Sequence, residues 1–371
     1  MIGVVFGTTG ELIKLAPVLR RLHELGEPPL LITTAQQVEQ IPAFLEDFDL
    51  PQPDVWLARG FRGGDLERTQ EIPVWAAQVA VTALRRRRAL AARLRADGRA
   101  PFLLVHGDTM TTVLGALLGR LLRTPTGHIE AGMRSGDWRN PFPEELNRRA
   151  AARLVTHHFA PGSRAVANLR AESVRGTIVD TVQNTIRDAV DLATGDGAVS
   201  AVPAPAEPFG LVSLHRYELI ERPELFRSVL EILREHSRHQ PLLFVDHSTT
   251  AAALRAARLE GCFDERFRRI PRQRYFPFIS LLQQARFLVT DSGGSQEECA
   301  FLGLPCLIHR AVSEHQTGLD GPVVLSGMDL EVLRRFLADP ERLRTPSPAP
   351  EARPTDLILD ELARAGAIAR A

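Results

Sequence analysis

The alternation of short apolar runs with longer helical patterns constrains the fold of this chain more than any other feature. Residues 2–6 and 102–105 are continuously apolar, whereas residues 12–25 and 110–122 have the spacing of amphipathic helices. Strands that are apolar on both faces are typical of parallel sheets with helices packed on each side. The pattern therefore predicts an α/β fold.

The alternation restarts after residue 170, with further strand-like runs and helical patterns as far as residue 302. A chain of 371 residues has room for about two domains. We therefore expect two doubly wound, Rossmann-like domains that face one another, over residues 1–170 and 171–354. A Pro-rich stretch at 345–354 indicates a linker before a final helix at 355–365.

Charge and cysteine content narrow the function. The 45 Lys and Arg residues balance 45 Asp and Glu residues, so the chain lacks the basic character of a nucleic-acid-binding protein. No apolar run approaches the roughly 20 residues that cross a bilayer, and we expect no membrane association and a cytoplasmic location. The three cysteines have no metal-ligand spacing, so we expect no metal site and no disulfide framework.

The first strand-like run ends in the turn Gly7-Thr8-Thr9-Gly10-Glu11, which opens a helix containing Lys14. Glycines between a strand and a helix can let an anion approach the backbone N–H groups, although a plain tight turn is the alternative. Lys14 is the only lysine among the 45 basic residues. Either it survives by chance, or its site has room for an ammonium and not for a guanidinium.

Three carboxylates follow the next strand-like runs of the first half. Asp108 stands before a helix and could simply cap it, and Glu144 could simply compensate a helix dipole. Glu130 ends an apolar strand, where few structural needs place a carboxylate, so a functional role is favoured. Since ligands of open α/β sheets bind beyond the carboxyl ends of the strands, all three are candidates for acid/base chemistry.

The second half adds His215 after one strand and a Gly-rich turn at 290–298 after another. That turn leads into a helix N-terminus and is suited to bind a diphosphate, with a capped turn as the alternative. A carboxylate further along the same helix can accept both hydroxyls of a ribose. Together the two halves predict proton transfers on a nucleotide-linked substrate.

These motifs resemble those of the non-hydrolysing UDP-N-acetylglucosamine 2-epimerases, in order and at matching spacing over essentially the whole chain. The matching segments are residues 6–17, 106–109, 127–134, 143–148, 215–218, 275–278 and 291–298. The resemblance implies a fold like that of GT-B glycosyltransferases, with the active site in a cleft between the domains. It also implies that the last helix, at 355–371, returns to the N-terminal domain.

The resemblance implies interconversion of UDP-GlcNAc and UDP-ManNAc without a redox cofactor. A base removes the C2 proton while UDP leaves C1, and UDP then adds back after a proton reaches the other face of C2. Asp108, Glu130 and Glu144 become the acid/base candidates, and His215 assists the departing diphosphate. We expect no cofactor, a UDP-sugar as the small-molecule partner, and a homodimer.

The resemblance also assigns residues that hold the substrate. Lys14 and Arg148 would offset the charge of the diphosphate, Glu298 would bind the ribose and Phe278 the uracil. The other expected substrate-binding residues are Arg216, His247, Ser292, Gly293 and Gly294.

Several positions depart from the family pattern. Thr9-Gly10 stands where Arg-Pro is usual, and His315 replaces an arginine. We therefore expect the diphosphate to bind more weakly than in relatives that have these arginines. Ala35 and Gln37 replace the Gly and His of an allosteric motif, so substrate activation should be lost. Three alternatives to the epimerase are a hydrolysing variant, a GT-B glycosyltransferase, and a catalytically silent sugar-nucleotide-binding protein. The carboxylates remain together with His215, which argues against the last of these.

Overall fold

The structure, a computed structural model, describes residues 1–66, 69–136, 142–195, 202–313, 315–347 and 352–369. The chain divides into two compact units. The first comprises Met1–Ala189 together with Pro350–Ala371, and the second comprises Val190–Ala349.

A seven-stranded parallel sheet forms the centre of the first unit, in the order β3-β2-β1-β4-β5-β6-β7. Its strands are β1 (Ile2–Phe6), β2 (Leu30–Thr33), β3 (Val55–Trp56), β4 (Phe102–His106), β5 (Thr126–Ile129), β6 (His157–Ala160) and β7 (Thr177–Asp180). Its helices are α1 (Thr9–Glu24), α2 (Gln40–Asp47), α3 (Ile72–Leu94), α4 (Met110–Leu122), α5 (Glu144–Leu154) and α6 (Ser163–Ala171). Helix α7 (Ile186–Gly195) begins in this unit.

The second unit has a six-stranded parallel sheet in the order β10-β9-β8-β11-β12-β13. Its strands are β8 (Gly210–Ser213), β9 (Leu242–Asp246), β10 (Phe267–Pro271), β11 (Phe287–Thr290), β12 (Cys306–Ile308) and β13 (Val323–Leu325). Its helices are α8 (Tyr217–Ile220), α9 (Pro223–Ser237), α10 (Ser248–Ala256), α11 (Tyr275–Gln284), α12 (Gly293–Leu302) and α13 (Leu330–Ala338). The last helix, α14 (Pro354–Arg364), belongs to the first unit and lies against α1 and β7.

Each unit buries its own core. In the first, Trp75 of α3 is fully buried and donates its indole N–H to the Thr34 carbonyl at 2.8 Å. In the second, Phe226 of α9 packs with Phe244 and Phe287 of the sheet. A fully buried aromatic side chain stabilises a fold by about 1.5–3 kcal/mol. Among the described residues, no helix is long and apolar enough to cross a membrane.

The predicted α/β fold with two doubly wound sheets is confirmed. The boundary differs from the expected one at residue 170, because β7 pairs with β6 and extends the first sheet to Asp180. Helix α12 begins at Gly293, within the stretch 290–298 that was expected to be a turn. Strands β3, β12 and β13 were not predicted, and each has only two or three residues.

Candidate active site

The order of strands reverses at one place in each sheet. In the first unit this switch point lies between β1 and β4, and in the second it lies between β8 and β11. Ligands of doubly wound sheets bind beyond the carboxyl ends of the strands at such points. The candidate residues of the sequence therefore occupy the turns in which a ligand is expected.

Glu130 follows β5 and is buried, with a backbone φ of +69°. A residue with a side chain rarely adopts this left-handed conformation, and such strain is concentrated at functional sites. The Lys14 ammonium donates to Glu130 Oε2 at 2.5 Å, and the Asn184 amide donates to the same oxygen at 2.9 Å. The strained turn therefore places the Glu130 carboxylate within hydrogen-bonding distance of Lys14 and Asn184.

His106, the last residue of β4, completes this cluster. Its Nε2 lies 3.4 Å from Glu130 Oε2. Burial lowers the pKa of His106 to about 3, so the imidazole is neutral at neutral pH. Sequence reasoning assigned no role to His106 or Asn184, although both are polar residues near strand ends and the rule used for the other candidates would have found them.

Asp108 lies in the turn after β4 and pairs with the Arg148 guanidinium of α5. Its carbonyl accepts from the Asn147 amide at 2.9 Å. The alternative that Asp108 caps the next helix was wrong, because the N-cap of α4 is Thr109, which makes no side-chain cap. Lys14 and Arg148, expected at the diphosphate, each contact a carboxylate of the first unit directly.

Glu144 and Glu145 open helix α5 and have different surroundings. Glu145 is fully buried; Ser135 donates its N–H and Arg149 its guanidinium to this carboxylate, with Arg148 3.5 Å away. Glu144 Oε2 is buried and has no hydrogen-bond partner among the described residues. A buried acceptor without a partner is costly and is a candidate for a ligand contact. This observation favours the functional role for Glu144 over dipole compensation.

The turn after β1 does not provide the expected anion site. Glu11 accepts the N–H groups of Gly7 and Thr8 at 2.6 and 2.9 Å, and Thr8 in return caps the helix. Gln37 accepts both the N–H and the hydroxyl of Thr9, at 2.8 and 2.9 Å. The alternative of a plain turn is therefore correct here, since side chains of the protein occupy these donors.

In the second unit, Asp291 follows β11 and accepts the backbone N–H groups of His215 and Arg216, both at 2.8 Å. Burial raises the pKa of Asp291 to about 6 and lowers the pKa of His215 to about 4. The ring centroids of His215 and His247 are 4.3 Å apart, and His247 Nε2 lies 3.1 Å from the Ser213 hydroxyl. Asp291 therefore fixes the turn that presents His215.

The predicted diphosphate cradle, residues 292–294, forms the N-terminus of α12. Ser292 is the N-cap and accepts the Ser295 N–H at 3.5 Å. The N–H groups of Gly293 and Gly294 have no acceptor in the part of the chain that the structure describes. Free N–H groups at the positive end of a helix dipole bind anions. This turn, unlike the one after β1, is open to a phosphate.

Glu298 lies further along α12 and is buried beside Tyr275, the first residue of α11. Burial and the nearby Glu298 carboxylate raise the pKa of Tyr275 well above its ordinary value. Phe278 is half-buried one turn later on α11. His315, at one of the departures from the family pattern, is buried with its Nδ1 3.3 Å from the Glu297 carboxylate.

The candidate residues divide between the two units. Lys14, Asp108, Glu130, Glu144 and Arg148 belong to the first unit, and the other candidates belong to the second. Within the described residues, no group of three or more His, Cys, Asp or Glu side chains could hold a metal ion. The fold and the two sets define the class, an α/β protein with buried carboxylates at strand ends of one unit and an open helix N-terminus in the other.

Comparisons with known proteins narrow this class. A family model described as UDP-N-acetylglucosamine 2-epimerase matches residues 28–337. The UDP-N-acetylglucosamine 2-epimerase of Bacillus subtilis (strain 168) is 31% identical over 355 residues, which cover 93% of this chain and 89% of the relative. A corresponding protein of Escherichia coli O157:H7 is 30% identical over 368 residues, which cover 93% and 92%.

A solved structure is also similar over nearly its whole length. It is the Methanocaldococcus jannaschii UDP-GlcNAc 2-epimerase in complex with UDP-GlcNAc and UDP, with a TM-score of 0.78 and 26% sequence identity. The match covers 98% of this chain and 99% of that chain. The chain belongs to the UDP-N-acetylglucosamine 2-epimerase family, as its motifs predicted.

Proposed function

We propose that this protein interconverts UDP-GlcNAc and UDP-ManNAc by eliminating UDP to a 2-acetamidoglucal and adding it back. The observation that carries the proposal is the convergence of Lys14, Asn184 and His106 on one oxygen of the strained Glu130. Inversion at C2 needs a base on one face of the carbon and an acid on the other, and Glu130 alone cannot supply both groups. Asp108 and Glu144 supply the further candidates.

Neighbouring strands support a joint role for Glu130 and Asp108. Each follows the carboxyl end of its strand, and β4 and β5 are paired with His106 opposite Ile129. Proton transfer requires the acid or base within about 3 Å of the carbon-bound proton. We propose that Glu130, Asp108 and Glu144 exchange the C2 proton.

The second unit supplies the groups that would hold UDP. We propose that the N–H groups of Gly293 and Gly294 and the hydroxyl of Ser292 bind the diphosphate. Glu298 would accept the ribose hydroxyls, and Phe278 would stack on the uracil. Their support is the open helix end of α12 and the burial of Glu298 beside it.

His215, Arg216 and His247 would act at the leaving group. A neutral His215 can donate a hydrogen bond to the departing diphosphate, as its lowered pKa allows. Lys14 and Arg148 would offset the growing charge in addition to holding the carboxylates of the first unit.

The test is incubation with UDP-GlcNAc in D2O, followed by NMR at C2 of the sugar. We expect UDP-ManNAc with deuterium at C2 and no requirement for added nicotinamide cofactor. Product that keeps its original hydrogen would refute the elimination mechanism. Free ManNAc with UDP as the sole products would identify a hydrolysing enzyme instead.

Variants of the carboxylates test the roles of the residues. Glu130→Gln and Asp108→Asn should each lower turnover by roughly 10²–10⁴-fold, the usual contribution of a general acid or base. Glu24→Gln on the exposed side of α1 is the matched control and should leave turnover unchanged. Turnover near that of the wild type in Glu130→Gln would remove Glu130 from the mechanism.

We also propose that the protein works as a homodimer through a helical face of the first unit. Large apolar side chains on neighbouring helices are unusually exposed, with Val74 and Leu84 of α3 at 49% and 51% and Leu117 of α4 at 46%. Exposed apolar side chains on adjoining helices are the kind of surface through which protomers associate, and most oligomers are symmetric dimers.

Analytical ultracentrifugation tests the proposed dimer. The double variant Leu84→Glu, Leu117→Glu should sediment as a monomer, because two charges would be desolvated in the interface. Ala252→Glu, at an exposed position of α10, is the control and should sediment like the wild type. A dimer that survives the double substitution would place the interface elsewhere.

A further inference from the structure

Glu11 connects the two turns that border the switch point of the first sheet. Its carboxylate is buried and accepts N–H groups of Gly7 and Thr8 from its own turn, at 2.6 and 2.9 Å. The other carboxylate oxygen accepts the hydroxyl of Thr109, which follows β4, at 2.5 Å. One side chain thus joins the turn after β1 to the turn that contains Asp108.

The Thr109 hydroxyl contacts Glu11 in place of the helix-capping contact that a threonine at this position usually makes. Thr109 has the extended backbone of an N-cap, with φ −78° and ψ 167°, yet its side chain does not cap α4. A threonine at this position normally bonds to an N–H of the first turn. Here the hydroxyl donates to Glu11 instead, so helix stability alone does not explain its orientation.

The charged form of this carboxylate is disfavoured by its burial. Burial raises the pKa of Glu11 to about 7 in spite of the three hydrogen bonds. A buried charge is costly unless it is paired, and no cation is recorded within salt-bridge distance of Glu11 in the described ranges. A buried carboxylate with no recorded cation, which bridges two loops of the site, fits a positioning role.

Helix α1 carries a second connection one turn further along. Lys14 lies three residues after Glu11 and donates to Glu130, which follows β5. Residues three apart share one face of a helix. Two side chains on one face of α1 therefore contact the site. Glu11 contacts the Asp108 turn through Thr109, and Lys14 contacts Glu130 directly.

We propose that Glu11 is a positioning residue that, through Thr109, fixes the Asp108 turn relative to Glu130. This inference rests on the proposed function, because the separation of the two carboxylates matters only if both act on one sugar carbon. A misplacement of about 1 Å in such a pair can slow a reaction by about 10²-fold. Binding of UDP alone should not depend on it.

The test compares two substitutions of Thr109. Thr109→Val removes the hydroxyl and leaves the capping box of α1 intact, whereas Thr109→Ser keeps the hydroxyl. We expect Thr109→Val to lower kcat and the rate of C2 exchange by about tenfold or more, with unchanged KM and unchanged UDP affinity. Thr109→Ser should restore most of the rate.

Thr126→Val is the control, since it removes a buried threonine hydroxyl at the other end of β5. The double variant Glu11→Ala, Thr109→Val should be no slower than Glu11→Ala alone, because Glu11→Ala already removes the acceptor of the Thr109 hydroxyl. Additive losses would contradict the inference, as would a Thr109→Val enzyme as fast as Thr126→Val.

Failure of the proposed function is distinguishable from failure of the inference. A wild-type protein that neither epimerises UDP-GlcNAc nor exchanges its C2 proton would refute the function, and the inference with it. An active wild type with kcat and exchange unaffected by Thr109→Val would refute the positioning role of Glu11 alone.

Discussion

The substitution Lys14→Arg tests why the chain retains a single lysine among 45 basic residues. The change keeps the positive charge and replaces a compact ammonium by a broad planar guanidinium. Lys14 is only 9% exposed, and its Nζ lies 2.5 Å from a Glu130 oxygen that Asn184 also contacts. The structure therefore leaves little room for the larger head group beside Glu130.

The expected loss follows from the contact that would be disturbed. A hydrogen bond between charged groups contributes about 1.5–3 kcal/mol, and each 1.4 kcal/mol corresponds to about tenfold in rate. Loss of the Lys14–Glu130 contact from the transition state should therefore lower kcat by roughly 10–10²-fold. Crowding in a packed site should lower the free energy of unfolding by about 1–3 kcal/mol.

Initial rates of UDP-ManNAc formation and the rate of C2 exchange measure the effect, with thermal unfolding to confirm that the variant is folded. Arg21→Lys, the reverse exchange at an exposed position of α1, is the matched control and should leave both rates unchanged. Lys14→Met should be slower still, because it leaves the buried Glu130 carboxylate without its cation. A Lys14→Arg enzyme with wild-type rates would show that the lysine persists by chance and that the site tolerates a guanidinium.

Three further predictions concern pH, the second unit and kinetics. Burial raises the pKa of Glu11 from 4.5 to about 7. Between these two values the folded protein keeps a proton that the unfolded chain has lost, so the free energy of unfolding falls as the pH rises. Urea unfolding measures this free energy at about pH 5 and about pH 8. Its decrease between the two should be about 2.5 kcal/mol smaller in Glu11→Gln than in the wild type, and an equal decrease in both proteins would contradict the prediction. Asp291→Ala removes the one oxygen, Oδ2, that accepts the N–H groups of both His215 and Arg216 at 2.8 Å, and should weaken UDP binding in calorimetry by roughly tenfold or more; an unchanged Kd would contradict it. With Ala35 and Gln37 in place of the usual allosteric residues, initial rates should follow a hyperbola in substrate, and a sigmoidal curve would contradict the loss of activation.

Much of the fold could be predicted because the strands are short, apolar and separated by helices of clear periodicity. Helix α4 lies at the predicted residues 110–122, and β1 lies at the predicted residues 2–6. The placement of candidate residues at strand ends was equally accessible, since it follows from the α/β topology alone. Asp108, Glu130, His215 and the cradle all occupy such ends.

Partners distant in sequence could not be predicted in the same way. Lys14 and Glu130 are separated by 116 residues, and no local pattern shows that they meet. The sequence places a cation near the site but does not decide between a diphosphate and a carboxylate as its partner. Asn184 escaped notice for a related reason, because β7 was expected to begin the second domain and its carboxyl end was not compared with those of β4 and β5.

Two Gly-containing turns between a strand and a helix look alike in the sequence and differ in what they can bind. After β1, Glu11 lies three residues beyond the N-cap Thr8 and accepts the N–H groups of its own turn, as a capping box does. After β11, the corresponding residue beyond Ser292 is Ser295, which cannot place a carboxylate there, and the N–H groups of Gly293 and Gly294 stay free in the described structure. The residue at this third helical position therefore decides whether a helix end holds its own carboxylate or an external anion. By this criterion we expect the phosphates to bind in the second unit, which leaves the first unit for the proposed proton transfers.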